Sequence, residues 1–286
     1  MLKYILPQDK PVSKELFTLA FPVILSNLSR VLMSVVDVAM VGRLGAAALA
    51  ATGMGAMLFW GALSLVIGIR TGVQTVASRR LGQKKYDQCG TALHNGLFMA
   101  TVYGLPMSIA GWLLAKNFIP FFINDIKATP LTVEYSSIVF LGLLFSAYSF
   151  VFQGFYTGVE KTKIHMRVSI TSNVINVYLN AGLIYGSEGV KLFFSETAPP
   201  LSFLSHLWQW TTFPAMGVKG AAIATLVASL WMFVHYGAYL FSKQIKSRFA
   251  VLSLSVNGVM MNRQLRLAAP QGLQEMFIAV GWSMFY

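Results

Sequence analysis

The strongest constraint on this fold is a series of apolar runs, each about as long as a bilayer is thick, separated by short basic segments. The first is Leu16 to Gly45, LFTLAFPVILSNLSRVLMSVVDVAMVGRLG. The hydrocarbon core of a bilayer is ~30 Å thick and takes about 20 mostly apolar residues as a helix. Similar runs recur at about 46–77, 92–115, 136–158, 168–186 and 219–241, and a seventh begins near Leu267. Only 11% of the residues are charged and 56% are hydrophobic. Soluble domains carry roughly 25% charge, so the composition excludes one water-exposed domain around a single core. The expected fold class is an all-α polytopic membrane protein: a six-helix transmembrane bundle plus a partial seventh helix.

The charges then orient the chain. Fifteen of the 22 Lys and Arg lie in the N-terminal segment and in the alternate loops 78–90, 159–167 and 242–266. The opposite loops hold only Lys116, Lys127, Lys191 and Lys219. The positive-inside rule therefore puts the basic set, with the N-terminus, in the cytoplasm. The net charge of +12 is explained by this asymmetry, and no nucleic-acid partner is expected. The organisation read from the pattern is a cytoplasmic tail at 1–15, a six-helix lobe at 16–241, a cytoplasmic linker at 242–266 and the start of span 7 at 267–286. The polar N-terminus lacks the apolar core of a signal peptide. Residues 187–218, with Phe193, Phe194, Trp208 and Trp210, read as an aromatic loop lying in the membrane interface.

Asp37 is the residue that points to function. A carboxylate inside a membrane helix costs roughly 2.5–3.5 kcal/mol on insertion scales, and such groups mark ion or proton pathways. A buried carboxylate beside a cation can exchange a proton for that cation. The bland alternative is a lasting ion pair with Arg30, two turns earlier on a similar face. Asn176 and Asn180 are four residues apart and share a helix face, where they suit either ligation through carbonyl oxygens or interhelical packing. Thr225 can bond its own backbone, and Gln153 lies beside the Gly154–Gly158 pair. Arg70 in span 2 reads as a residue that snorkels toward the cytoplasmic end. No phosphate-binding loop, HExxH or GxSxG pattern is present, so no enzyme is expected, and neither a metal nor a cofactor.

LAFP at 19–22 recurs as LAAP at 267–270, with Leu25 matching Leu273. Repeated halves are a transporter signature. The second half of a two-lobed protein would then start near 262.

Four stretches together resemble the multidrug and toxic compound extrusion (MATE) family: VVDVAMVGRLG (35–45), SRRLG (78–82), NVINVYLN (173–180) and MGVKGAAIAT (216–225). The resemblance runs over most of residues 14–286. It implies a twelve-helix antiporter of two six-helix lobes, of which this chain is the first lobe and the beginning of the second. Such a protein sits in the cell (inner) membrane and exports cationic or amphipathic organic compounds in exchange for protons or sodium ions. A missing C-terminal lobe is then expected in the full-length protein, with membrane lipid and the organic substrate as its partners. Asp37 takes the place of the family's span-1 aspartate, Asn176 and Asn180 its paired span-5 positions, and Thr225 its span-6 threonine. The second span-5 position is often aspartate in the family and is Asn180 here. The family's span-7 glutamate position is Ile278, and Glu275 lies about one turn earlier. The candidate site is thus Asp37, Asn176 and Asn180 for coupling, with Thr225, Gln153 and Glu275 along the pathway. Two alternatives stand beside this reading: a lipid-linked oligosaccharide flippase, which would place cations such as Arg30 and Arg70 in its cavity, and a non-transporting truncated lobe.

Overall fold

A computed structural model describes residues 10–123, 125–197 and 199–283. Residues 1–9 of the expected tail and the last three residues of the expected span 7 lie outside these. The described residues form helices without strands: α1 (Lys10–Gly42), α2 (Ala46–Gly82), α3 (Tyr86–Phe118), α4 (Ala128–Leu141), α5 (Leu143–Gly158), α6 (Thr162–Thr197), α7 (Val218–Leu240), α8 (Lys243–Phe249) and α9 (Gly258–Ser283). Four of them (α1, α2, α3 and α7) are long and apolar enough to cross a membrane. The α4–α5 pair, bent by 49°, makes a fifth candidate. The expected spans α6 and α9 are too polar for the same criterion. Along α1, Phe17, Phe21, Ile24, Leu28, Val31, Leu32, Val35 and Val38 are all about half exposed or more. So large an apolar surface is untenable in water but suits lipid or a partner helix. The protein is a multi-pass membrane protein.

Several boundaries differ from the sequence reading. The first apolar run opens at Leu16, which would put Pro22 near the start of span 1, but α1 begins at Lys10, so the proline lies well inside the helix. The expected loop 78–90 shrinks to a three-residue turn, because α2 continues to Gly82 and α3 starts at Tyr86. The expected single span 136–158 begins at Ala128 and is broken at Gly142. Residues 187–218 are only partly loop. α6 continues through them to Thr197, bending at Gly186, whose φ of 74° falls in a region L side chains rarely adopt. A 3-10 helix follows at Pro199–Trp208. Its packing centres on Tyr178, whose ring stacks on Trp208 at 5.1 Å and whose hydroxyl donates to the Leu207 carbonyl at 2.7 Å.

The linker expected at 242–266 is also shorter. Span 7 begins at Gly258, nine residues before Leu267, because Asn257 caps the helix: its Oδ1 accepts the Met260 N–H at 2.9 Å. Arg263 and Arg266 stay exposed on α9, and their charge masked this helical turn in the sequence pattern.

The segment between α8 and α9 is stapled to α3. Asn95 donates to the Asn257 carbonyl at 3.1 Å and accepts the Asn257 N–H at 3.0 Å. His94 accepts the Ser255 N–H on Nδ1, so its Nε2 carries the proton it donates to the Val251 carbonyl. Nearly two turns into α9, the Gln264 amide donates to the Ala92 carbonyl at 2.9 Å. Asn95→Ala removes both bonds to Asn257 and strands a backbone N–H, at a cost of about 2 kcal/mol. The expected result is a melting temperature lower by roughly 5 °C in detergent, measured by the loss of monodisperse protein on heating.

The largest helix interface joins α2 to α9 through two small residues. A Cβ on Gly72 would lie 2.6 Å from the Gln264 carbonyl oxygen, and one on Gly68 would lie 2.9 Å from the Gly272 nitrogen. The GxxxG pair therefore lets the two backbones touch. On the other flank α1 packs against α6, and the candidate site lies in that seam.

Candidate functional site

Three polar rungs tie α1 to α6. Asn173 donates to Ser29 Oγ at 2.8 Å. Two helical turns on, Asn180 Nδ2 donates to Asp37 Oδ1 at 2.6 Å. The Tyr185 hydroxyl donates to the Met40 carbonyl. The 3.6-residue period explains the register, since residues 173, 176 and 180 share one stripe. Asn173 was missed as a site residue, although its place in that stripe was legible from the spacing alone.

The middle rung holds three of the expected residues. The Asn180 amide also donates to Asn176 Oδ1 at 2.8 Å, and both asparagines are buried. Asn180 Oδ1 is buried with no hydrogen-bond partner. An unsatisfied buried carbonyl oxygen costs roughly 1–3 kcal/mol. Here it lies in the same cluster as the Asp37 carboxylate, whose Oδ2 accepts no hydrogen bond among the described residues. A carboxylate and free carbonyl oxygens are what a proton or a hard cation takes as partners. The alternative ion pair is not formed: Arg30 turns to Asn27 Oδ1, 3.0 Å away. Lys219–Glu134, at 4.0 Å, is the one ion pair among the described residues.

Tyr135 on α4 is a second residue the sequence did not single out. It is buried, lies beside Thr225 and falls within electrostatic range of Asp37. Nothing in its local sequence marks it, and only the packing of α4 on α7 brings it to the site. Thr225 itself donates to the Ala221 carbonyl of its own helix at 3.0 Å. Its neighbour at the site is Tyr135, not Asp37.

The other two candidates lie elsewhere. Gln153 bonds His165 at 3.0 Å, and His165 bonds the Tyr236 hydroxyl at 2.6 Å, in a network joining α5, α6 and α7. Glu275 accepts from Gln271 at 3.0 Å on α9. Neither touches Asp37.

The MatE family model matches residues 22–181, more than half of the chain, and covers Asp37, Asn176 and Asn180. The chain belongs to the MatE family. Among curated proteins, a probable multidrug resistance protein NorM of Photorhabdus laumondii is 31% identical over 183 residues, covering 62% of this chain and 39% of that protein. A probable NorM of Idiomarina loihiensis is 26% identical over 248 residues, covering 85% and 48%. This chain thus spans less than half the length of either. Among solved structures, an outward-facing multidrug resistance MATE family transporter of the MOP superfamily superposes with a TM-score of 0.76 at 20% identity. It covers 92% of this chain and 52% of that one. A MOP superfamily transporter from Pyrococcus furiosus gives the same values. At such identity these likenesses establish the fold.

Proposed function

We propose that this MatE-family chain supplies the first lobe of a secondary active antiporter. The antiporter exports amphipathic or cationic organic compounds in exchange for protons or sodium ions. The chain lies in the cell membrane with its N-terminus in the cytoplasm, as the asymmetry of basic residues supports. Family membership and the multidrug-resistance names of its relatives support export. The Asp37–Asn180–Asn176 cluster is the single observation that carries the coupling role. With a proton or sodium ion on Asp37, the carboxylate is neutralised and the α1–α6 seam is closed. When the ion leaves, the charge must be met by another cation, and a cationic substrate can supply it. The lobes then rock around the central cavity in alternating access, and Asp37 is loaded from one side and emptied to the other. The C-terminal lobe is the partner this cycle requires.

Everted vesicles carrying the full-length protein test the reading with a cationic dye. Dye uptake is expected to follow an imposed proton or sodium gradient and to stop when that gradient is collapsed. Uptake indifferent to both gradients would overturn it.

A further inference from the structure

The chain between α7 and α9 leads from the six-helix lobe to span 7, and the coupling cluster does not use it. α8 begins three residues after Leu240, the end of α7, which is long and apolar enough to cross a membrane. That short connection holds α8 at the membrane surface. α3 fixes its level a second time. A Cβ on Gly90 would run into the Phe249 carbonyl oxygen, and His94 and Asn95 bond Val251 and Asn257. His94 lies about 12 Å along α3 from Tyr86, where the apolar run of that helix opens. The segment therefore sits at the depth where headgroups meet acyl chains, on the side of the basic loops.

Two kinds of side chain face outward from it. On α8, Ile245 and Phe249 are buried against the bundle, and Phe249 packs edge-on to Tyr86 and Phe155. The protein itself thus uses the apolar stripe of this helix. Lys243, Lys246 and Arg248 are left exposed. Arg248 lies over the Tyr86 ring at 4.5 Å, and a stacked guanidinium keeps its in-plane N–H donors for an oxyanion. None of the three side chains meets a carboxylate among the described residues. Residues 242–266 contain five Lys and Arg and no Asp or Glu. Arg80 adds to the charge from α2, against the carboxylate of Asp87.

Directly after α8, Leu252, Leu254 and Val256 alternate with serines and are 44%, 87% and 50% exposed. The bonds to His94 and Asn95 fix the backbone here, so the ridge is held outward. A fixed apolar ridge is costly in water and suits acyl chains.

We infer that this connection is a seat for anionic phospholipid. Lys243, Lys246 and Arg248 take headgroup phosphates, while Leu252, Leu254 and Val256 enter the acyl layer beside them. An acidic soluble protein could use the same charges but not the ridge, which favours lipid. The inference goes beyond coupled export and needs only the chain's orientation in the membrane.

The test uses the full-length protein in phosphatidylcholine nanodiscs. Ser247, exposed between Lys246 and Arg248, is changed to Cys (Ser247→Cys) in a Cys89→Ala background and labelled with bimane. A small fraction of the lipid carries a nitroxide on the chain carbons next to the headgroup, on either phosphatidylglycerol or phosphatidylcholine. Quenching titrated against the nitroxide lipid gives the relative affinity. Phosphatidylglycerol is expected to be favoured at least ~5-fold, the attraction of about one Lys or Arg to an anionic surface. Lys243→Gln with Lys246→Gln should lower that preference while keeping the Arg248–Tyr86 stack and the melting temperature, and adding Arg248→Gln should remove it. Lys163→Gln with Arg167→Gln, at the start of α6, should leave it unchanged. Equal quenching by the two lipids overturns the seat. So does a preference that survives all three α8 substitutions, or one that Lys163→Gln with Arg167→Gln removes equally. Quenching by neither lipid places α8 clear of the bilayer, open to an acidic soluble partner, and overturns the inference as well. Every one of these outcomes leaves the export reading standing, because dye transport is read separately.

Discussion

Replacing Asp37 with asparagine is expected to abolish gradient-driven export while leaving the protein folded and in the membrane. The amide keeps the size of the carboxyl and can still accept the Asn180 N–H now made at 2.6 Å. What it loses is the capacity to change charge. A site that cannot alternate between a neutral and an anionic state has no means of trading a proton or sodium ion for a substrate. The expected residual rate is at the level of membranes lacking the protein, at least ~100-fold below wild type. Loss of a hydrogen-bonded charge of about 3 kcal/mol already accounts for that factor. Asn180→Ala should cost less, about tenfold, because it keeps the carboxylate and removes one charge-assisted bond of ~1.5 kcal/mol. Dye uptake by everted vesicles, normalised to protein in the membrane, separates the two. Asp37→Asn with wild-type uptake would remove Asp37 from the mechanism.

The second large effect is on stability. Gly68→Val is expected to unseat α9 from α2. The added Cβ alone would lie 2.9 Å from the Gly272 nitrogen and meets the Ala268 carbonyl oxygen more closely still. Neither neighbour can move without shifting the helix. Overpacking of this kind costs typically 1–3 kcal/mol, and here both opposing groups are backbone, so the upper end applies. For a domain of this size ~3 kcal/mol lowers the melting temperature by roughly 6–12 °C. Gly72→Val meets the Gln264 carbonyl oxygen at 2.6 Å and should do the same. Gly42→Val meets nothing within 4 Å and serves as the control. Thermal denaturation in one detergent compares all three, and equal melting temperatures would show that the seam tolerates side chains.

The apolar runs made the long helices legible, because a bilayer-length stretch with its charges at the ends has few alternatives. Both ends of α7 and the C-terminal end of α1 came out close to the sequence reading for that reason. Amphipathic or polar continuations did not. The first turns of α9 carry Arg263 and Arg266 and look like linker until Asn257 is seen capping them. The extension of α6 beyond Gly186 has Lys191, Glu188 and two phenylalanines and reads as interface. In the site, Asp37 with Asn176 and Asn180 was readable from the cost of an intramembrane carboxylate and from the i, i+4 spacing. Tyr135 was not, since nothing in a single sequence brings α4 to α7. The spread of Gln153 and Glu275 into separate clusters follows from helix rotation, which residue type does not encode.

The most direct measurement is the number of coupling ions displaced when the full-length protein binds a cationic dye. Titration calorimetry in two buffers of different ionisation enthalpy counts protons, and radioactive sodium counts sodium ions. About one proton or sodium ion released per dye by the wild type, and none by Asp37→Asn, is the expected result. The same ion count in both proteins would contradict the coupling role assigned to Asp37.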